Sequence, residues 1–127
     1  MVQAASAIIL KDKRILLVKR SGYGAYPNTW ACAGGRADGN ETPEEAVVRE
    51  LKEEVNLDFT PTRVYKKWYH DDREMFRFLG DWKGNIKLQE EELKEYNWFS
   101  YDEAIKLDLG FDYREVVEML HKDGLLK

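Results

Sequence analysis

The sequence predicts an α+β fold, a mixed β-sheet with helices packed on it. Runs of strand composition outnumber helical ones, and helix-opening signals stand at Thr42, Ser100 and Asp112. The order ββ, β, α, ββ, β, α does not repeat as regular βαβ units. A chain of 127 residues is expected to form one domain, 1–127, large enough to bury a core without disulfides.

Residues 3–10 and 14–20 are rich in Ala, Ile, Leu and Val and flank the polar "KDKR", which predicts a hairpin. "SGYGAYPNT" reads as a loop, Trp30 to Ala33 as a short strand, and the glycine-rich "GGRADGN" follows. Thr42, Pro43 and Glu45 then form a capping box with proline at the first helical position, so a helix should run from there to about Val55. Beyond "TPT" at 60–62, the aromatic-rich stretches 63–70 and 73–82 read as strands paired around Asp71-Asp72. The polar "KGNIKLQEEELKE" leads to a strand at Tyr96–Phe99. Ser100 with Glu103, and Asp112 with Glu115, read as two further capping boxes, and the last helix should end near Lys122, before Gly124.

Composition narrows the function. A net charge of -4 gives no general attraction to nucleic acid or anionic membrane, so any phosphate must be met locally, by a few cations or a bound metal. The single cysteine, Cys32, lies in an apolar run and reads as core; with only two histidines, no zinc site of the usual Cys/His type can be assembled. The N-terminal "MVQAASAIIL" reads as a strand, not a signal peptide, and no apolar run approaches a membrane span, so a cytoplasmic protein is expected.

The chemistry concentrates in "RELKEEVNL", Arg49 to Leu57. On a helical wheel with Val47 at zero, Leu51 and Val55 fall at about 40° and 80°, while Glu54, Glu50 and Glu53 fall at about -20°, -60° and -120°. The acids therefore flank the buried stripe instead of opposing it. Two carboxylates about 6 Å apart at an effective dielectric of about 20 repel by roughly 3 kcal/mol, so three require cations. Arg49 supplies one charge, and a hard divalent cation, which prefers carboxylate oxygens, would supply the rest.

The spacing extends further. Gly35, Glu41, Arg49-Glu50-Leu51, Glu53-Glu54 and Leu57 stand where the Nudix box, G-x5-E-x7-R-E-U-x-E-E-x-G-U with U a bulky aliphatic, has its defined residues. Asn56 is the one departure, in place of a glycine that follows the helix; asparagine is the next best occupant of a left-handed position. The chain thus resembles Nudix hydrolases over nearly its full length.

That resemblance implies an α/β/α sandwich around a mixed sheet and Mg²⁺-dependent hydrolysis of a pyrophosphate bond in a nucleoside triphosphate or another nucleoside diphosphate derivative, with Mn²⁺ a substitute ion. It implies Glu50, Glu53 and Glu54 as metal ligands with the Gly34 carbonyl, and Glu41 and Arg49 as supports of those carboxylates. "EELKEYNWFS" is similar to a further family segment and puts forward Glu92 as a ligand or base, with Glu90 and Glu91 as neighbouring alternatives. Arg20, Arg36 and Arg77 are candidates for phosphate contact, and Tyr23, Tyr26, Trp68, Phe76 and Phe78 for nucleobase stacking. The expected partner is a small nucleotide, the expected state monomer or homodimer. A nucleotide sensor without turnover and an isoprenoid diphosphate isomerase of the same fold are the alternatives; the intact acids oppose the first, and the short chain with its only cysteine before the box opposes the second.

Overall fold

The computed structural model describes residues Met1–Lys127. The chain divides into two compact units, each made from two segments: residues 1–9 with 33–89, and residues 10–32 with 90–127. No helix is long and apolar enough to cross a membrane.

The first unit holds β1 (Val2–Ile8), β5 (Gly34–Arg36), helix α1 (Pro43–Val55), β6 (Asp58–His70) and β7 (Arg73–Lys83). The strands form one sheet in the order β5-β1-β7-β6; β1 and β7 run parallel and the other neighbours antiparallel, so the sheet is mixed as expected. The β6–β7 hairpin turns at Asp71, which takes a left-handed φ of 56°. Its first strand starts earlier than expected, at Asp58, because bulges between Pro61 and Arg63 and between Val64 and Lys66 absorb the proline and the extra residues without ending the ladder. Gly34–Arg36 is also a strand, where composition suggests a loop; the expected strand at Trp30–Ala33 is correspondingly cut to Trp30–Ala31.

Paired residues point to the same side of a sheet, so the register sorts this sheet into two faces. Ala5, Gly35 and Phe76 share one; Ala4, Ser6, Gly34, Arg36, Met75, Arg77, Lys66 and Trp68 share the other. Helix α1 lies on the first face, with Ala46, Val47, Leu51 and Val55 buried.

Local chemistry starts and stops α1. Thr42 accepts from the Glu45 amide at 3.1 Å while the Glu45 carboxylate accepts from the Thr42 amide at 2.9 Å. At the other end Asn56 sits at φ 63°, with its amide donating to the Lys52 carbonyl and that of Leu57 to the Leu51 carbonyl, a Schellman arrangement. Asn56 also donates through Nδ2 to the Asn85 carbonyl at 3.1 Å. Asn56→Ala should cost about 1–2 kcal/mol in chemical denaturation, because the left-handed backbone penalises a Cβ that has no polar group to compensate. Asn56→Gly should stay within about 0.5 kcal/mol of the parent, since it relieves the backbone and loses only an exposed hydrogen bond.

The second unit holds β2 (Leu10–Lys11), β3 (Arg14–Arg20), β4 (Trp30–Ala31), β8 (Leu93–Phe99), α2 (Tyr101–Ala104) and α3 (Tyr113–Lys122). β3 pairs with β2 and β4 on one edge and with β8 on the other, all antiparallel. Ile15 to Val18 are all buried, which explains why β3 reads as an unbroken apolar run. The expected hairpin around "KDKR" is real but small. It joins β2 to β3 through Asp12 and Lys13, both at positive φ as a type I′ turn requires, whereas β1 leaves for the other sheet at Ile9.

Ser100 and Glu103 complete the capping box of α2. The expected box at Asp112 does not form: its side chain makes no cap hydrogen bond, because a ψ of 18° takes it out of the extended backbone from which an N-cap side chain reaches the first turn.

Candidate active site

Exposure along α1 follows the wheel. Glu54, nearest the apolar stripe, is buried; the Glu50 side chain is 15% exposed and the Glu53 side chain, furthest round, 54%. Glu54 accepts a hydrogen bond from the Gly34 amide at 2.8 Å, which ties the helix to the start of β5. The Glu50 carboxylate lies where a Cβ on Gly35 would be, 2.6–2.8 Å from that position. Gly34 and Gly35 are therefore both set by close approach, one to a neighbouring strand and one to the Glu50 carboxylate.

Arg49 is the centre of the charge network. Its Nε and Nη2 donate to the two oxygens of Glu41 at 2.8 and 3.0 Å, a bidentate fork, and Nη1 donates to Glu50 at 2.9 Å and Glu53 at 3.1 Å. Nη2 also donates to the Arg36 carbonyl at 2.9 Å and lies 3.3 Å from Asp38. The hydrogen bond from Arg49, followed by the one from the Asp38 amide, lowers the Glu41 pKa to about 2. Conversely, the bonds to Glu41 and then Glu50 raise that of Arg49. Sequence reading missed Asp38. Its only signal is a position in the loop between Gly35 and Glu41, where nothing in the residue pattern distinguishes it from a turn former. A cleft of about 330 Å³ lined by Val2, Gln3, Arg36, Asp38 and Glu41 opens beside this network.

The three glutamates are gathered on one arc but do not converge on one point: no group of three acidic, histidine or cysteine side chains stands at metal-holding distance. Arg49 accounts for this, since Nη1 draws Glu50 and Glu53 toward itself. As a donor set, carboxylates beside a glycine strand suit a hard divalent cation.

The other candidates separate. Phe76 is buried on the helix-bearing face with Lys67 over its ring at 5.0 Å, so it is core and not a stacking surface; Phe78 is likewise buried. Arg77 is buried, not a solvated surface arginine: it donates to Ser6 Oγ at 3.3 Å and Met75 Sδ at 3.5 Å. Trp68 is half-buried, with Arg77 over its ring at 6.0 Å and His70 stacked on it at 4.9 Å. Arg36 is exposed on β5.

Arg20, Tyr23, Tyr26 and Glu92 belong to the second unit. There Arg20 donates to the Ala25 carbonyl at 3.0 Å and lies over Phe111, whose ring packs against Tyr26 at 4.2 Å with a tilt of 34°. Tyr23 is exposed and donates to the Glu91 carbonyl at 3.3 Å, and the Glu92 carbonyl accepts from the Ser21 amide.

Comparison with known proteins agrees with this geometry. The NUDIX domain family model matches residues 1–120. The ADP-ribose pyrophosphatase of Methanocaldococcus jannaschii is 32% identical over 129 aligned positions, covering 95% of this chain and 75% of its own. The CTP pyrophosphohydrolase of Escherichia coli K12 is 29% identical over 87% of this chain and 84% of its own. The crystal structure of a MutT NUDIX hydrolase from Burkholderia pseudomallei superposes with a TM-score of 0.83 at 25% identity, covering 92% of this chain and 95% of that one. With its box helix capped, its acids in order and the match running through nearly the whole sequence, this chain belongs to the NUDIX family as a MutT-like hydrolase, an enzyme acting on pyrophosphate bonds.

Proposed function

We propose that the protein is a Mg²⁺-dependent pyrophosphohydrolase, with Mn²⁺ a workable substitute, acting in the cytoplasm on a nucleoside triphosphate or another nucleoside diphosphate derivative. The observation that carries this reading is the pairing of buried Glu54 with the Gly34 amide beside a Glu50 and a Glu53 that share one guanidinium. The relatives named as 8-oxo-dGTP diphosphatase, CTP pyrophosphohydrolase and ADP-ribose pyrophosphatase support the reaction class.

Glu50, Glu53, Glu54 and the Gly34 carbonyl would hold the cation. When bound, it neutralises phosphate charge and lowers the pKa of a coordinated water. Glu53, the most solvent-facing of the three, is best suited to accept the proton of the attacking water. A P–O bond forms to that water's oxygen as one P–O bond of the anhydride bridge breaks, and the departing phosphate keeps the bridging electron pair. Arg49 keeps Glu50 and Glu53 oriented, and Glu41 fixes Arg49 through both of its oxygens.

The test is a substrate panel. Incubation with Mg²⁺ and nucleoside triphosphates, nucleotide sugars and dinucleotides should release a nucleoside monophosphate and the complementary phosphate product. Tight binding with no product from any member of the panel would sink the hydrolase reading in favour of a nucleotide sensor.

A further inference from the structure

β6 is the last strand of its sheet, 13 residues long and paired on one side only, by β7. Such an edge directs a row of backbone N–H and C=O groups away from the sheet, a template for another strand. Leaving aside Met1, the first unit exposes three large apolar side chains, and all three stand at this edge: Val64 (37%) and Tyr69 (57%) on β6, and Val48 (42%) on α1. Val64 and Tyr69 pair with Phe78 and Glu74, so both lie on the face that carries α1. Val48 joins Leu57, Phe59 and Thr60 in lining a groove of about 440 Å³ at the start of the strand.

The strand is also self-complementary. Counted outward from Val64, its residues match as Arg63 with Tyr65, Thr62 with Lys66, Pro61 with Lys67, Thr60 with Trp68, Phe59 with Tyr69 and Asp58 with His70. No like charges meet, and the one acid, Asp58, meets the histidine. The faces agree too: Phe59, Pro61, Lys67 and Tyr69 lie on the α1 side with Val64, whereas Asp58, Thr60, Trp68 and His70 lie on the other. One bulge falls on each side of Val64, so in a pair of such strands the extra residues oppose one another and the matches beyond them keep their faces. Moving the axis by one residue sets Arg63 opposite itself or opposite Lys67, and like charges directly opposite destabilise a sheet. The basic residues that guard this edge against arbitrary strands thus admit the register centred on Val64.

We propose that the protein forms a two-fold homodimer in which the β6 edges of two copies pair antiparallel about Val64, joining two four-stranded sheets into one. The two Val64 side chains meet at the axis. Tyr69 of each copy lies beside Phe59 of the other and covers the groove that Val48 lines, so all three exposed apolar side chains leave water together. The hydrogen bond from the Tyr69 hydroxyl to Glu74 at 2.9 Å already orients that ring, which lowers the ordering cost of association.

Sedimentation velocity across about 1–200 µM protein should show a dimer with a Kd of about 10 µM or below. Val64→Lys and Val64→Glu each set like charges against one another at the axis, and each should sediment as a monomer with the parent's circular dichroism. An equimolar mixture of the two variants should recover the dimer, because lysine then faces glutamate, a result that misfolded chains could not give. Tyr96→Glu alters an exposed aromatic of the second unit and should leave the dimer unchanged. A dimer that survives both Val64 substitutions, or a mixture that stays monomeric, would overturn the proposal. So would a parent protein that remains monomeric at about 200 µM, which would leave this edge to an extended peptide of another protein.

Discussion

Glu54→Gln is expected to lower kcat for Mg²⁺-dependent hydrolysis by about 10³-fold or more while leaving the fold intact. Glutamine keeps the carbonyl oxygen that accepts from the Gly34 amide, so the link between α1 and β5 survives. What it removes is one full negative charge from a set of three that would hold a divalent cation, and a deficit of about 4 kcal/mol in the transition state corresponds to that rate. Glu53→Gln should show a comparable loss for a second reason. If Glu53 takes the water's proton, Glu53→Gln should lower kcat with little change in KM, because glutamine cannot accept that proton. Circular dichroism and thermal melts accompany the kinetics, and a Glu54→Gln protein with activity within tenfold of the parent would remove Glu54 from the metal-holding set.

The acids could be found from sequence because their placement is a local matter. Thr42, Pro43 and Glu45 start the helix, Asn56 stops it, and 3.6 residues per turn then fix the order in which Glu54, Glu50 and Glu53 move away from the buried stripe. The sheet was legible only in outline. Nothing local tells β1 to leave its neighbour at Ile9 and pair with β7 some 70 residues on, since the reward for that pairing is burial of a distant apolar face. β5 escaped because glycine carries no strand signal; Gly34 and Gly35 are in a strand for what they let approach. The placement of Arg77 and Phe76 was not legible in the sequence for a related reason. Alternation shows that they point to opposite faces, but which face carries the helix follows only from the register with β1 and β5.

The adjacent glycines Gly34 and Gly35 should respond to the same substitution in opposite ways. A Cβ on Gly34 would collide with the Ala5 carbonyl oxygen and stand 2.7 Å from the Ser6 Cβ, and neither belongs to a side chain that can swing aside. Gly34→Ala must therefore push β5 away from β1, at a cost of about 3 kcal/mol, which for a chain of this size lowers Tm by on the order of 10 °C. A Cβ on Gly35 meets only the end of the Glu50 side chain, which can rotate. Gly35→Ala should keep Tm within a few degrees of the parent yet lose activity, because Glu50 must leave the position where Arg49 holds it. Melting curves and Mg²⁺ titrations of kcat on the two variants read the difference directly. If Gly35→Ala melted early while Gly34→Ala kept the parent's Tm, the close approaches assigned to these two positions would be wrong, and with them the account of why this strand contains paired glycines.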